Sequence, residues 1–78
     1  MNHYRITGCY SMNGADWKTI KKFYSTAENT IQEAKRIYQK EAWNNIAVEL
    51  DDESNPGSYE AVIVWDAGHD KISNFNWD

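Results

Sequence analysis

The sequence predicts an α+β domain: a two-layer β-β-α-β-β sandwich, an antiparallel sheet with one helix packed on one face. Three features lead there. Residues 3–12 alternate with the period of a strand and run into Asn13-Gly14, a hairpin turn signal. Residues 31–42 carry an apolar stripe at helical spacing. Two more strand-like segments, 46–50 and 59–65, flank the turn residues Asn55-Pro56-Gly57. A chain of 78 residues has room for one domain, taken as residues 1–78.

In the first strand Tyr4, Ile6, Gly8, Tyr10 and Met12 share one face, and Arg5, Thr7, Cys9 and Ser11 share the other. A two-residue loop at Asn13-Gly14 sets Tyr10 opposite Trp17, Tyr4 opposite Phe23 and Gly8 opposite Thr19. Gly8 marks a bend or a bulge. The helix places Ile31, Ala34, Ile37, Tyr38 and Ala42 inward, with Lys35, Arg36, Gln39 and Lys40 toward solvent. Two capping boxes are spelled, Ser25 with Glu28 and Asn29 with Gln32. Asn29 is preferred as the start, because Ala27 then continues the inward face of strand two. Asn44-Asn45 supplies the stop after Trp43.

Ile46, Val48 and Leu50 alternate with Ala47 and Glu49 as strand three. In strand four Tyr59, Ala61, Ile63 and Trp65 share one face, while Val62 and Val64 make the other partly apolar. Ala67-Gly68-His69-Asp70 reads as a turn, and residues 72–77 as a last strand or a strap. Crossover rules give the sheet order 2-1-3-4. One helix covers one face only, so Ile20, Val62 and Val64 are expected outside unless Phe75 and Trp77 fold over them. The expected state is a monomer or a weak homodimer.

The net charge of −4 is unevenly placed. Residues 1–43 hold seven Lys/Arg against four acids, and residues 44–78 hold one Lys against eight acids. An acidic second half steers basic partners and repels nucleic acid. A lone cysteine, Cys9, and a polar start lead to a cytoplasmic expectation, and no apolar run is long enough for a membrane span. His3 and His69 have no ligand-spaced companion, and no P-loop, dinucleotide or zinc motif occurs. No cofactor, metal or catalytic residue is expected, and the chain reads as a non-enzyme.

The stretch Tyr4-Arg5-Ile6-Thr7-Gly8, then Phe23, Ala27 and Glu33-Ala34 with Tyr38, resembles the opening half of archaeal large-subunit ribosomal protein LX over residues 4–50. That resemblance implies a ribosomal role and a hairpin–helix–strand layout; the family's basic character is not matched here. In size, acidity and aromatic richness the chain also resembles small phage-encoded inhibitors, including anti-CRISPR proteins. That likeness of type implies occlusion of a partner or nucleic-acid site on a host defence complex.

The functional expectation is a protein-binding module whose partner is a host protein or ribonucleoprotein complex. Its surface is acidic and aromatic: Asp51, Asp52, Glu53, Glu60 and Asp66, with Tyr59 and Trp65 as anchors. The alternative is a small RNA- or DNA-binding domain using Arg5, Lys18, Lys22 and Lys35.

Overall fold

The computed structural model describes residues 2–51, 56 and 62–68. Its elements are β1 (Asn2–Cys9), β2 (Lys18–Ser25), α1 (Ala27–Lys40), β3 (Asn45–Leu50) and β4 (Ile63–Asp66). The sheet is open and antiparallel, in the expected order β2-β1-β3-β4. Because β1 is antiparallel to both neighbours, β2 and β3 run parallel on either side of it, and α1 is the crossover between them. The helix lays Ala34 and Ile37 on Tyr4, Ile6, Ile46, Val48 and Trp65, which form the core.

Tyr4 faces Phe23 as expected, but the register slips after Ile6. Thr7 then faces Thr19 and Gly8 faces Lys18, so Ile20 is an extra, bulged residue. The bulge returns Ile20 to the helix side, where it packs against the core instead of facing outward. The tight hairpin is also replaced. Strands end at Cys9 and Lys18, and the amides of Tyr10 and Ser11 donate to the Asp16 carboxylate at 3.0 and 3.1 Å. A side chain thus takes the place of the last ladder bonds, and residues 10–17 make a wider loop. Gly14 sits within it at φ 72°, the left-handed region glycine tolerates.

Tyr10 does not face Trp17 across the hairpin; it stacks on Trp43, ring centroids 4.1 Å apart and 12° from parallel. Trp43 follows the helix and is buried against the core. Gly8 makes room for it. A Cβ there would lie 3.0 Å from Trp43 Cε3, Ile20 Cδ1 and the Asn45 carbonyl oxygen.

Both helix ends differ from expectation. Thr26 is the N-cap, its Oγ1 accepting from the Asn29 amide at 3.1 Å, so the helix begins one turn before Asn29. It closes at Glu41, whose amide donates to the Ile37 carbonyl, short of Asn44. Ala42, expected on the inward stripe, is exposed.

A second bulge falls in β4. Trp65 pairs with Val48 and Ile63 with Glu49, leaving Val64 extra. Ile63 and Trp65 therefore lie on opposite sides of the sheet, and Val64 packs against the core. Of the expected outward trio, Ile20 and Val64 thus pack against the core, while Val62 is exposed beside Leu50, whose amide donates to its carbonyl. Phe75, Trp77, His69 and residues 72–77 lie outside the described residues.

The sheet face away from α1 is not a solvent face at its centre. Arg5, Thr7, Cys9, Ala47 and Glu49 are all buried there. Arg5 and Glu49 are direct cross-strand neighbours, with Arg5 Nε donating to Glu49 Oε1 at 3.1 Å. Thr7 Oγ1 donates to Glu49 Oε2 at 3.0 Å. Pairing with hydrogen bonds is the condition under which charges tolerate burial. Among the described residues no helix is long and apolar enough to cross a membrane.

Candidate binding surface

The expected acidic surface divides in the structure. Asp52, Glu53, Tyr59 and Glu60 lie outside the described residues. Asp51 is half-buried and turned to its own chain: Oδ1 accepts from Arg5 Nη1 at 3.5 Å, and Oδ2 is 3.8 Å from Lys22 Nζ. Asp66 Oδ1 accepts from the Gly68 amide at 2.7 Å and from Asn45 Nδ2 at 3.4 Å. Trp65, expected as an exposed anchor, is 3% exposed in the core. Its pairing with Val48 turns the indole to the helix side of the sheet.

The expected basic set divides too. Arg5 is buried in its pair with Glu49 and does not project. Lys35 is half-buried, its ammonium 5.9 Å from the Trp65 ring centroid. Lys18 and Lys22 remain exposed on β2 and are joined there by Lys21.

β2 is thus where the exposed cations and rings collect. It is the sheet edge, with β1 its single neighbour among the described residues. Pairing across β1 assigns the faces. Lys18, Lys21 and Phe23 lie on the helix side beside Gly8, Ile6 and Tyr4. Thr19, Lys22 and Tyr24 lie on the other side beside Thr7, Arg5 and His3. Tyr24 is 62% exposed and rests on His3, ring centroids 4.4 Å apart.

Each lysine is held near a ring or a shared acid. Lys18 Nζ is 5.5 Å from the Tyr10 centroid and 5.7 Å from that of Trp43, within cation–π range. Lys21 Nζ is 5.1 Å from the Phe23 centroid and 2.9 Å from Glu33 Oε2. Glu33 also accepts from Nε and Nη2 of Arg36, each at 2.8 Å. Arg36 first, and Lys21 second, hold the Glu33 carboxyl down at about 2. At the loop end, the Ser11 hydroxyl and the Tyr10 and Ser11 amides hold Asp16 at about 2 as well.

Lys21, Tyr10, Met12 and Tyr24 are surface residues that neither expected set contains. A signal for the edge existed: Lys21-Lys22 puts a charge on each side of the strand, which a central strand does not tolerate. Alternation puts Tyr10 and Met12 on the face of Tyr4, but the strand ends at Cys9. Met12 is 90% exposed at the loop tip.

A cleft of about 330 Å³ lies at the other side of the loop, lined by Asn13, Gly14, Trp17, Asn45, Ile63 and Asp66. Asn45 and Asp66 are bonded to each other and to the Gly68 amide there. Among the described residues no group of three or more His, Cys, Asp or Glu is placed to hold a metal. Cys9 is buried.

Compared with known proteins, the chain matches no family model, no curated relative and no solved structure. The fold and surface define a small α+β domain with an open antiparallel sheet, one edge of which is basic and aromatic.

Proposed function

We propose that this chain is a non-enzymatic protein-binding module whose working surface is the β2 edge. The reading is carried by one observation: an edge strand presenting Lys18, Lys21 and Lys22 with exposed Tyr24. Edge strands leave main-chain donors and acceptors available for another chain. Exposed tyrosine supplies contact area at low ordering cost. The finer setting, a phage or prophage inhibitor of a host defence or nucleic-acid-handling complex, belongs to the proposal. It rests on the chain's size, its charge of −4 and its aromatic content.

A second reading has its own observation. Lys18 beside the stacked Tyr10 and Trp43 rings brings together the cation and rings that single-stranded RNA or DNA binding uses. It calls for steep weakening with salt.

The test uses tagged full-length chain as bait in host lysate, beside a Lys21→Glu/Lys22→Glu variant and an Asp51→Lys/Asp52→Lys/Glu53→Lys variant. The proposal expects a protein captured by wild type after nuclease digestion, and lost with the lysine variant. Equal capture by the lysine variant rejects the β2 surface, and loss in the acid-reversed variant alone moves the site to the acidic segment. Capture abolished by nuclease selects the nucleic-acid reading.

A further inference from the structure

We propose that the β2 edge takes up an extended segment of a protein partner as an added antiparallel strand, one that reads apolar–apolar–acidic–acidic. The inference rests on the β2 reading above and names the ligand chemistry.

The bulge sets the length and place of the added strand. Regular pairing of β2 with β1 runs from Lys21 to Ser25 and breaks at Ile20. A bulge twists its strand and interrupts the ladder, so a flat edge remains on the C-terminal side only. The added strand is therefore short and centred on Lys21 to Tyr24.

Charge sets half of its sequence. Lys21 and Lys22 are 45% and 69% exposed at the side chain. Their acids are shared: Glu33 serves Arg36 as well as Lys21, and Asp51 serves Arg5 more closely than Lys22. Among the described residues Glu33 and Asp51 are the carboxylates within ion-pair distance of Lys21, Lys22 and Arg36, Arg5 being matched by Glu49. Neither lysine has a carboxylate to itself, and an acid opposite each supplies one. Directly opposed residues share a sheet face, so one acid lies on each side.

Rings set the other half. Phe23 is half-buried on the helix side, and Tyr24 is exposed on the other. Apolar or β-branched residues opposite them extend both surfaces. An antiparallel partner passes Tyr24 first and Lys21 last, which gives the order apolar, apolar, acidic, acidic. Antiparallel pairing is chosen for its straighter, slightly stronger bonds.

An oligonucleotide answers less of this surface. It leaves the edge main chain unpaired, and it meets a protein whose overall charge is −4.

The experiment is hydrogen exchange on the labelled full chain, titrated with a short synthetic peptide centred on Val-Tyr-Glu-Glu. Controls are the same peptide N-methylated at alternate residues, the peptide with both glutamates replaced by lysine, and an oligothymidylate. The expected result is saturable binding with slowed exchange of β2 amides. N-methylation on the pairing side abolishes it, and the lysine peptide does not bind. Lys21→Glu/Lys22→Glu weakens binding roughly tenfold or more, on cross-strand charge pairs at two positions. If that variant is unfolded, the peptide controls on wild type still decide. Equal binding of the N-methylated peptides, or no slowed exchange, overturns strand addition. So does an oligothymidylate that shifts the edge while the peptide is silent. Peptide failure alongside lysine-dependent capture of a protein from lysate rejects strand addition and leaves the β2 surface standing.

Discussion

Arg5 donates from Nε to Oε1 of Glu49 at 3.1 Å, and both side chains are shut away from solvent on the sheet face opposite α1. This pair fixes how β1 and β3 meet, because each charge is acceptable there only beside the other. Glu49→Ala leaves Arg5 and the Thr7 hydroxyl without their main partner. It should cost about 3–5 kcal/mol, the range for breaking a buried pair. Arg5→Met/Glu49→Leu should recover most of that loss. Urea denaturation of the three proteins measures both. A single variant within about 0.5 kcal/mol of wild type would show that water reaches the pair.

The helix start gives a sharper contrast. Thr26 caps the helix through the Asn29 amide. Thr26→Ala should cost roughly 1 kcal/mol. Asn29→Ala removes a side-chain contact to Ser25 at an exposed site and should cost only a few tenths, about 0.5 kcal/mol or less. Thermal melts of the two variants separate them, and the reverse ranking would move the cap to Asn29.

These two sites show what the sequence carried and what it did not. Element order and sheet order follow from period, turn residues and crossover chemistry, and all are local signals. The cap was misread because Ser25, Thr26 and Asn29 all have capping side chains, and only the backbone geometry chooses among them. Gly8 signalled a bulge in the first hairpin but not which residue bulges, and the bulge in β4 had no signal. Nothing in the local pattern at Ile20 or Val64 distinguishes an extra residue from a regular one, yet each bulge moves a side chain to the other face. The wide loop depends on Asp16 outcompeting strand pairing, which the Asn-Gly signal does not weigh. The burial of Arg5 is set by a residue on β3, far along the chain. For the candidate surface, the doubled lysine of β2 was legible as an edge mark, whereas the Tyr10–Trp43 stack depends on the loop.

Gly8 leaves no room for a side chain. Gly8→Ala puts a methyl 3.0 Å from a backbone oxygen and two packed side chains. Overpacking of this kind costs about 1–3 kcal/mol. Chemical denaturation measures it, and the Trp43 fluorescence should shift as the Tyr10 stack opens. An unchanged midpoint and spectrum would mean that Trp43 is free to move.

Glu33 links α1 to the β2 edge, and its titration reports that link. Its carboxyl sits at about 2 in the folded chain against an ordinary 4.5, with Arg36 the larger cause. A depressed pKa means the folded state favours the ionised form. The associated stabilisation is present above the ordinary value and is lost as pH falls from about 4.5 toward about 2. Carboxyl-carbon NMR titration should place the Glu33 midpoint near 2, rising toward 4.5 in Arg36→Gln. An ordinary midpoint in wild type would mean that the three-residue cluster is not formed in solution.

The central claim is that this domain meets its partner along β2 and not through its acidic residues. The direct measurement is an amide shift map of the labelled chain against the captured partner. The account predicts changes confined to Lys21 through Ser25 and to Tyr10 and Lys18 at the loop end, with β4 unmoved. Shifts concentrated at Asp66 and the segment after Leu50, with β2 silent, would contradict it.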